Sequence, residues 1–360
     1  MISFARGTPA PECLNVEELA DCARAALERD GVSVLSYGPG GGYGPLRNRL
    51  AEWHGVEPSR VVITSGSLQG FAFLAEQLVE PGSRVLVEAP TYDRPLKILT
   101  RLGAEIVGVP MDAEGLIPDE LPEGDFAFLY TIPTFQNPSG RTLSVERRQR
   151  LADLAREREL LVLEDDPYGL VRYDGDALPS VFELAGGEQI AYCSSFSKTV
   201  APGLRVGWYV LPPRLAAEIE ALAVSTYISP PYLTQATVCE LLRRQSFLPN
   251  LERINGLLRE RRDAMLEALA REMPEDATWT QPDGGYFVWV ELASGPPTAE
   301  LLVEAEAAGV TFVKGTDFYA GGKDGERALR LAFSFVSPDE IAEGVARLGS
   351  LVRAASPATL

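Results

Sequence analysis

From about residue 60 the chain alternates short apolar runs with stretches whose apolar residues recur at helical spacing. The runs Arg60–Thr64, Arg84–Glu88, Glu105–Val109, Phe126–Ile132, Leu160–Glu164, Gln189–Cys193 and Arg205–Leu211 read as strands. Between them Leu68–Val79, Arg94–Leu102, Val145–Glu159 and Arg214–Ala223 read as helices. Strands that are apolar at consecutive positions must be buried on both faces. Their alternation with helices therefore predicts an α/β fold: a mostly parallel seven-stranded sheet with helices on both faces. After a long helical stretch from about Tyr232 to Glu272 the pattern changes. Trp279–Gln281 and Tyr286–Glu291 read as strands, Thr298–Ala308 as a helix, Ala328–Phe335 as a strand and Pro338–Val352 as a closing helix, a smaller α+β domain. We expect residues 37–245 to form the large domain, and residues 1–36 with 246–360 the small one.

Composition narrows the function. A net charge of −18 repels phosphate backbones, and the basic pairs at Arg147-Arg148 and Arg259–Arg262 are interleaved with acids at helical spacing, so no nucleic-acid partner is expected. No apolar run approaches the roughly 18 residues of a membrane helix, and Met1–Glu12 lacks a signal-peptide pattern, so the expected location is the cytoplasm. Cys13, Cys22, Cys193 and Cys239 are scattered without a C-x-x-C pair, and His54 is the one histidine. Metal sites built on imidazoles and Ser-His-Asp triads are thereby excluded, and His54 reads as structural, at a helix C-terminus. Of 33 basic residues only four are lysines: Lys97, Lys198, Lys314 and Lys323. Arginine can replace lysine as surface charge but not as a primary amine that loses its proton and attacks a carbonyl. Lys97, Lys314 and Lys323 read as surface positions; Lys198 does not.

In a parallel sheet, ligands sit beyond the carboxyl ends of the strands. There lie Ser65-Gly66-Ser67-Leu68-Gln69, a helix start able to hold an anion or simply a helix cap, and Asp165-Asp166-Pro167-Tyr168, a carboxylate facing the crevice or an N-cap. Pro133–Gly140 reads as a turn. The most specific segment runs from Ser194 to Arg205, Ser-Ser-Phe-Ser-Lys-Thr-Val-Ala-Pro-Gly-Leu-Arg. It sets Lys198 among hydroxyls seven residues before Arg205. Partial desolvation and a nearby cation would lower the amine's pKa, and the hydroxyls with the Arg205 fork suit phosphate oxygens. The glycine-rich run Tyr37–Gly44 has neither the G-x-G-x-x-G nor the Walker spacing and reads as a flexible loop.

Together Ser195-Phe196-Ser197-Lys198, Pro202-Gly203-Leu204-Arg205, Asn137-Pro138-Ser139-Gly140 and Asp165-x-x-Tyr168 resemble the fold-type I, class I/II aminotransferases that depend on pyridoxal 5'-phosphate. Within that family the chain resembles bacterial α-aminoadipate aminotransferases and the aminotransferase domains of MocR-type regulators, from Ile2 through Arg330. The resemblance implies that Lys198 joins the cofactor covalently and then moves protons. It implies further that Asp165 pairs with the pyridine nitrogen, that Asn137 and Tyr168 donate to the ring oxygen, and that Tyr92 stacks on the ring. Ser67, the Leu68 amide, Ser195, Ser197 and Arg205 match the phosphate cup. Tyr37 matches a phosphate ligand from a partner subunit, which implies a homodimer with shared active sites. Arg330 matches the clamp on the substrate α-carboxylate, with Asn137 and Gly7 beside it.

Arg6 stands where a glycine is common in the group, and Arg94 follows the stacking tyrosine by two; either could pair with a distal carboxylate of an acidic substrate or form an ordinary surface ion pair. The α-aminoadipate enzymes carry a longer N-terminal segment whose helix covers the side-chain pocket, and that cover is expected to be missing or replaced here. The implied partners are an amino acid and a 2-oxo acid exchanged by a ping-pong mechanism. A C–S β-lyase sharing this fold is the alternative. A MocR-like regulatory domain is a remoter one, since it needs a DNA-binding part.

Overall fold

A computed structural model describes residues 1–187 and 189–355. Its largest sheet has eight strands in the spatial order Val61–Thr64, Gly207–Val210, Ile190–Ser195, Val162–Asp165, Leu129–Thr131, Arg84–Ala89, Glu105–Asp112 and Gly115–Leu116. All seven expected strands are present; the eighth is a two-residue hairpin partner too short to leave a pattern in the sequence. The pairs are parallel except at Gly207–Val210 and Gly115–Leu116, which run against their neighbours.

The apolar strand runs are explained by the two cores they feed. Along each strand alternate residues enter opposite sides of the sheet. Val61, Ile63, Leu86, Leu129, Val162 and Ile190 join one hydrophobic cluster, while Val62, Val85, Val87, Phe128, Leu163 and Ala191 join the other. The helix Ser67–Leu78 closes the second side by burying Phe71, Phe73 and Leu74, each contributing about 2 kcal/mol relative to exposure.

A third core gathers Phe4, Ala10 and Cys13 with the long helix Phe247–Glu272, the strands Phe287–Glu291 and Ala328–Ala332, and the helix Pro338–Ala355. The stretch expected to be one helix from about Tyr232 is two, Tyr232–Arg243 and Phe247–Glu272, with Gln245 at a positive φ of 59° between them. Among the described residues two α-helices, Val16–Val34 and the four-residue Val181–Leu184, are not expected from the sequence; the first is the larger. Its buried stripe of Cys22, Ala26 and Val34 is too narrow and small to register as a periodic apolar face. Asn15 caps it by accepting from the Glu18 amide at 3.3 Å. The helix packs on Tyr232–Arg243 and contributes to the core of the large sheet, not to the third core.

Candidate active site

A cavity of about 450 Å³ opens beyond the carboxyl ends of the central strands. It is lined by Arg6, Gly7, Ser67, Leu68, Tyr92, Arg94, Asn137, Asp165, Tyr168, Ser195, Ser197, Lys198, Arg205 and Arg330, so residues up to 324 positions apart in sequence meet there. Tyr37 is the one candidate the single chain does not bring in: it is 82% exposed, outside the cavity.

Lys198 sits on the turn after the strand Ile190–Ser195. Its Nζ donates to the Gly7 carbonyl at 2.7 Å and lies 5.4 and 5.7 Å from the ring centroids of Tyr286 and Tyr168. Burial, and then the nearby guanidiniums of Arg330 and Arg205, bring its pKa down to about 8, with Asp165 opposing. The neutral amine is therefore a minor but accessible form near neutrality, roughly a tenth of the population at pH 7. The Gly7 carbonyl reaches it because the backbone there has no side chain: a Cβ on Gly7 would stand 2.5 Å from the Phe287 ring.

Asp165 ends the strand Val162–Asp165 and is buried. It accepts from the Tyr130 hydroxyl at 2.7 Å and from the Cys193 thiol at 3.2 Å. Desolvation raises its pKa to about 6 in spite of these donors. An acceptor so placed, with no cation in contact, calls for a positively charged partner from the cavity side.

One wall is built for an anion. The helix Ser67–Leu78 begins after Gly66, whose φ is 78°, and its first residues, Ser67 and Leu68, line the cavity, where free helix N-terminal amides suit an anion. Gly66 also leaves room for the Arg205 guanidinium, which a Cβ would meet at 2.1 Å. Arg205 donates to Ser197 Oγ at 3.3 Å and to the Ser65 carbonyl at 3.1 Å, and Ser195 Oγ donates to Ser197 Oγ at 2.8 Å. Two hydroxyls, a guanidinium and a helix N-terminus thus converge.

On the opposite wall Arg330, on the strand Ala328–Ala332, is buried; its guanidinium donates to Asn137 Oδ1 at 2.8 Å and to the Ala5 carbonyl at 3.0 Å, between the rings of Phe287 and Phe318. Its Nε is buried without a hydrogen-bond partner, and desolvation lowers its pKa to about 10. The turn carrying Asn137 is held from behind. Gln136 accepts from the Ser139 amide at 2.8 Å and donates to buried Glu88 at 2.8 Å. Arg6 and Arg94 are exposed at the mouth.

Among the residues that contact this machinery and are not expected from the sequence, three bear directly on Asp165 and Lys198. Tyr130 and Cys193 lie inside strands that read simply as apolar, and Tyr286, whose hydroxyl donates to the Lys198 carbonyl at 2.9 Å, comes from the distant third core. Only the period-2 phase of the strands, placing Tyr130 and Cys193 on one face with Asp165, carried any signal. His54 stays outside the cavity, accepting from Trp208 Nε1 at 3.0 Å, with burial lowering its pKa to about 4. Among the described residues no group of three or more His, Cys, Asp or Glu side chains is arranged to hold a metal ion.

The family model "Aminotransferase class I and II" matches residues 2–348, and the chain belongs to this family. It is 40% identical over 360 residues to the 2-aminoadipate transaminase of Thermus thermophilus, covering 98% of this chain and 90% of that one. It is 35% identical over 368 residues to aromatic-amino-acid aminotransferase 1 of Thermococcus litoralis, covering 98% and 88%. The crystal structure of the α-aminoadipate aminotransferase of Thermus thermophilus, complexed with N-(5'-phosphopyridoxyl)-L-leucine, superposes with a TM-score of 0.93 at 40% identity, covering 98% of this chain and 92% of that one. The fold is that of the fold-type I pyridoxal-phosphate enzymes, and the protein is a pyridoxal-phosphate-dependent aminotransferase. The cavity suits that cofactor. The Gly66 cradle and the hydroxyl-guanidinium wall match a phosphate, the Lys198 amine an aldehyde, and Asp165 a protonated ring nitrogen.

Proposed function

We propose that this aminotransferase moves the amino group of an acidic L-amino acid, of the 2-aminoadipate kind, to a 2-oxo acid, with Lys198 as the catalytic amine. The observation that carries the reading is a depressed-pKa amine lying between an anion-binding wall and a buried arginine in one cavity. Ser67, the Leu68 amide, Ser195, Ser197 and Arg205 would hold the phosphate; Asp165 would hold a proton on the ring nitrogen; Asn137 and Tyr168 would donate to the ring oxygen, and Tyr92 would stack on the ring. The bound cofactor supplies an aldehyde for the substrate amine and a ring that accepts electrons.

Arg330 then grips the substrate α-carboxylate as a fork, with Asn137 fixing the guanidinium and Gly7 lining the space beside it. This orientation decides which bond at the α-carbon is weakened. Neutral Lys198 Nζ would take the substrate α-proton and hold it for return, its position set by the Gly7 carbonyl at 2.7 Å. Arg6 and Arg94, lining the cavity, support a distal carboxylate, as does the similarity to a 2-aminoadipate transaminase.

The assembly we infer is a homodimer in which Tyr37, idle on the isolated chain, reaches the partner's phosphate site. A cytoplasmic setting is supported by four unpaired, buried cysteines and, among the described residues, by no helix long and apolar enough to cross a membrane. For the division into residues 37–245 and 1–36 with 246–360, the separate third core is support, although the packing of Cys22, Ala26 and Val34 favours assigning the helix Val16–Val34 to the large unit.

Mixing the holoenzyme with each amino acid in turn, without an oxo acid, and following the cofactor absorbance tests the reading. Acidic donors should convert the cofactor fastest, and borohydride should tag the peptide containing Lys198. Faster conversion by aromatic than by acidic donors would overturn the substrate assignment, and a tag elsewhere would overturn the role of Lys198.

A further inference from the structure

The register of the large sheet determines what stands behind Asp165. In the parallel pairing of Val162–Asp165 with Ile190–Ser195, Asp165 lies opposite Cys193; in the pairing with Leu129–Thr131, Tyr130 lies opposite Leu163. Because side chains alternate faces along a strand, Tyr130, Leu163, Asp165 and Cys193 share one face. Tyr130 and Cys193 are each about 1% exposed, so neither reaches solvent or the substrate side of the cavity. Tyr130 Oη donates to Asp165 Oδ2 at 2.7 Å and Cys193 Sγ to Asp165 Oδ1 at 3.2 Å, so the two oxygens of one carboxylate are held by two different strands. One strand further, Tyr209 lies opposite Cys193 and its hydroxyl donates to the Ser67 carbonyl at 2.7 Å, which ties the same row of side chains to the start of the anion-binding helix.

We propose that Tyr130 and Cys193 are positioning residues that hold Asp165 ionised and aimed into the cavity, and thereby set how fully the cofactor's ring nitrogen is protonated. The inference rests on the reading of Asp165 as the partner of that nitrogen. A carboxylate with two donors behind it is a weaker base than one without them. Stripped of either donor, it draws the shared proton from the ring toward itself. The ring then accepts electrons less well, and proton removal from the substrate slows. Binding of the substrate carboxylate, which lies on the opposite wall, is left alone. The phenol is the stronger donor and the thiol the weaker, so the two contributions should be unequal.

The test is the nitrogen NMR resonance of ¹⁵N-labelled cofactor in the holoenzyme, read beside half-reaction kinetics. Tyr130→Phe should move the resonance toward that of unprotonated pyridine and lower kcat on the order of tenfold with KM unchanged. Cys193→Ala should shift it in the same direction by less, and Cys193→Ser, which restores a donor, should return it toward the parent value. The cysteine pair keeps the question decidable even if Tyr130→Phe fails to fold. If Cys193→Ala and Tyr130→Phe lose stability or rate while the resonance stays in place, the two residues are only packing and the proposal falls. Asp165→Asn is the control: if it leaves the resonance unmoved, the reading of Asp165 itself fails. If it moves the resonance while the other variants do not, only the present inference fails.

Discussion

Replacing Arg330 by glutamine removes a buried positive charge while keeping an amide that can still donate to Asn137 Oδ1. The guanidinium now gives one donor to Asn137 and one to the Ala5 carbonyl, and its Nε is buried without a partner. A substrate carboxylate gripped by this fork gains charge-assisted hydrogen bonds of about 1.5–3 kcal/mol each. Two such bonds, discounted for the desolvation that already lowers the arginine's pKa to about 10, leave about 3–4 kcal/mol in the transition state. At about 1.4 kcal/mol per factor of ten, kcat/KM for the amino-donor half-reaction should fall roughly 100- to 1,000-fold.

The fold should tolerate the change. The buried, desolvated cation disappears while an amide donor for Asn137 Oδ1 remains, so the melting temperature should stay within a few degrees of the parent. Cofactor affinity, governed by the opposite wall, should be unchanged. Stopped-flow mixing of the holo variant with an amino donor gives the rate, and thermal melts with cofactor titration give the two controls. A half-reaction within threefold of the parent would refute the clamp. So would a loss of cofactor binding as large as the loss of rate, because Arg330 would then be serving the cofactor.

Further outcomes follow from the same geometry. A Cβ at Gly207 would stand 2.4 Å from the Ser67 amide, so Gly207→Ala should displace the helix start and weaken cofactor binding about tenfold or more; an unchanged cofactor titration would contradict the anion-site reading. His54, lowered to about 4 in the folded state against about 6.5 unfolded, stays neutral while the unfolded chain takes up a proton, so stability is lost as pH falls from 6.5 toward 4. Buried Glu88 and Glu164, each raised to about 7, act in the opposite sense over much of this range. The contribution of His54, about 2–3 kcal/mol, is therefore read as the difference between parent and His54→Gln in urea unfolding at pH 7 and pH 4.5; parallel curves would refute it. Light scattering should give about twice the 39.0 kDa chain mass, and Tyr37→Phe should raise the cofactor dissociation constant several-fold without altering that mass. A fully active monomer would remove the shared-site reading.

Much of this was legible from local pattern. Most of the main strands were visible because a strand buried on both faces is apolar at every position, as Val61-Val62-Ile63 and Leu161-Val162-Leu163 are; Glu105–Asp112, near the sheet edge and largely exposed, was visible only by its β-branched run. Lys198 was visible because a chain that otherwise uses arginine kept a lysine among small hydroxyls at a strand end. The helix Val16–Val34 was not, since a stripe of cysteine, alanine and valine buries enough surface to pack but too little to stand out.

What only the tertiary structure decided is which groups share one space. Gly7, Asn137, Lys198 and Arg330 come from four separate segments. Nothing in a linear pattern brings the Gly7 carbonyl to the lysine amine or Asn137 to the guanidinium. Tyr130 and Cys193 are the sharpest case: by composition they are core residues, and only strand register turns them toward one carboxylate. Periodicity is set by each segment's own burial, whereas register and crossing are set by all segments packing at once. The chain alone therefore announces the elements and the reactive amine, and the fold assigns that amine its neighbours.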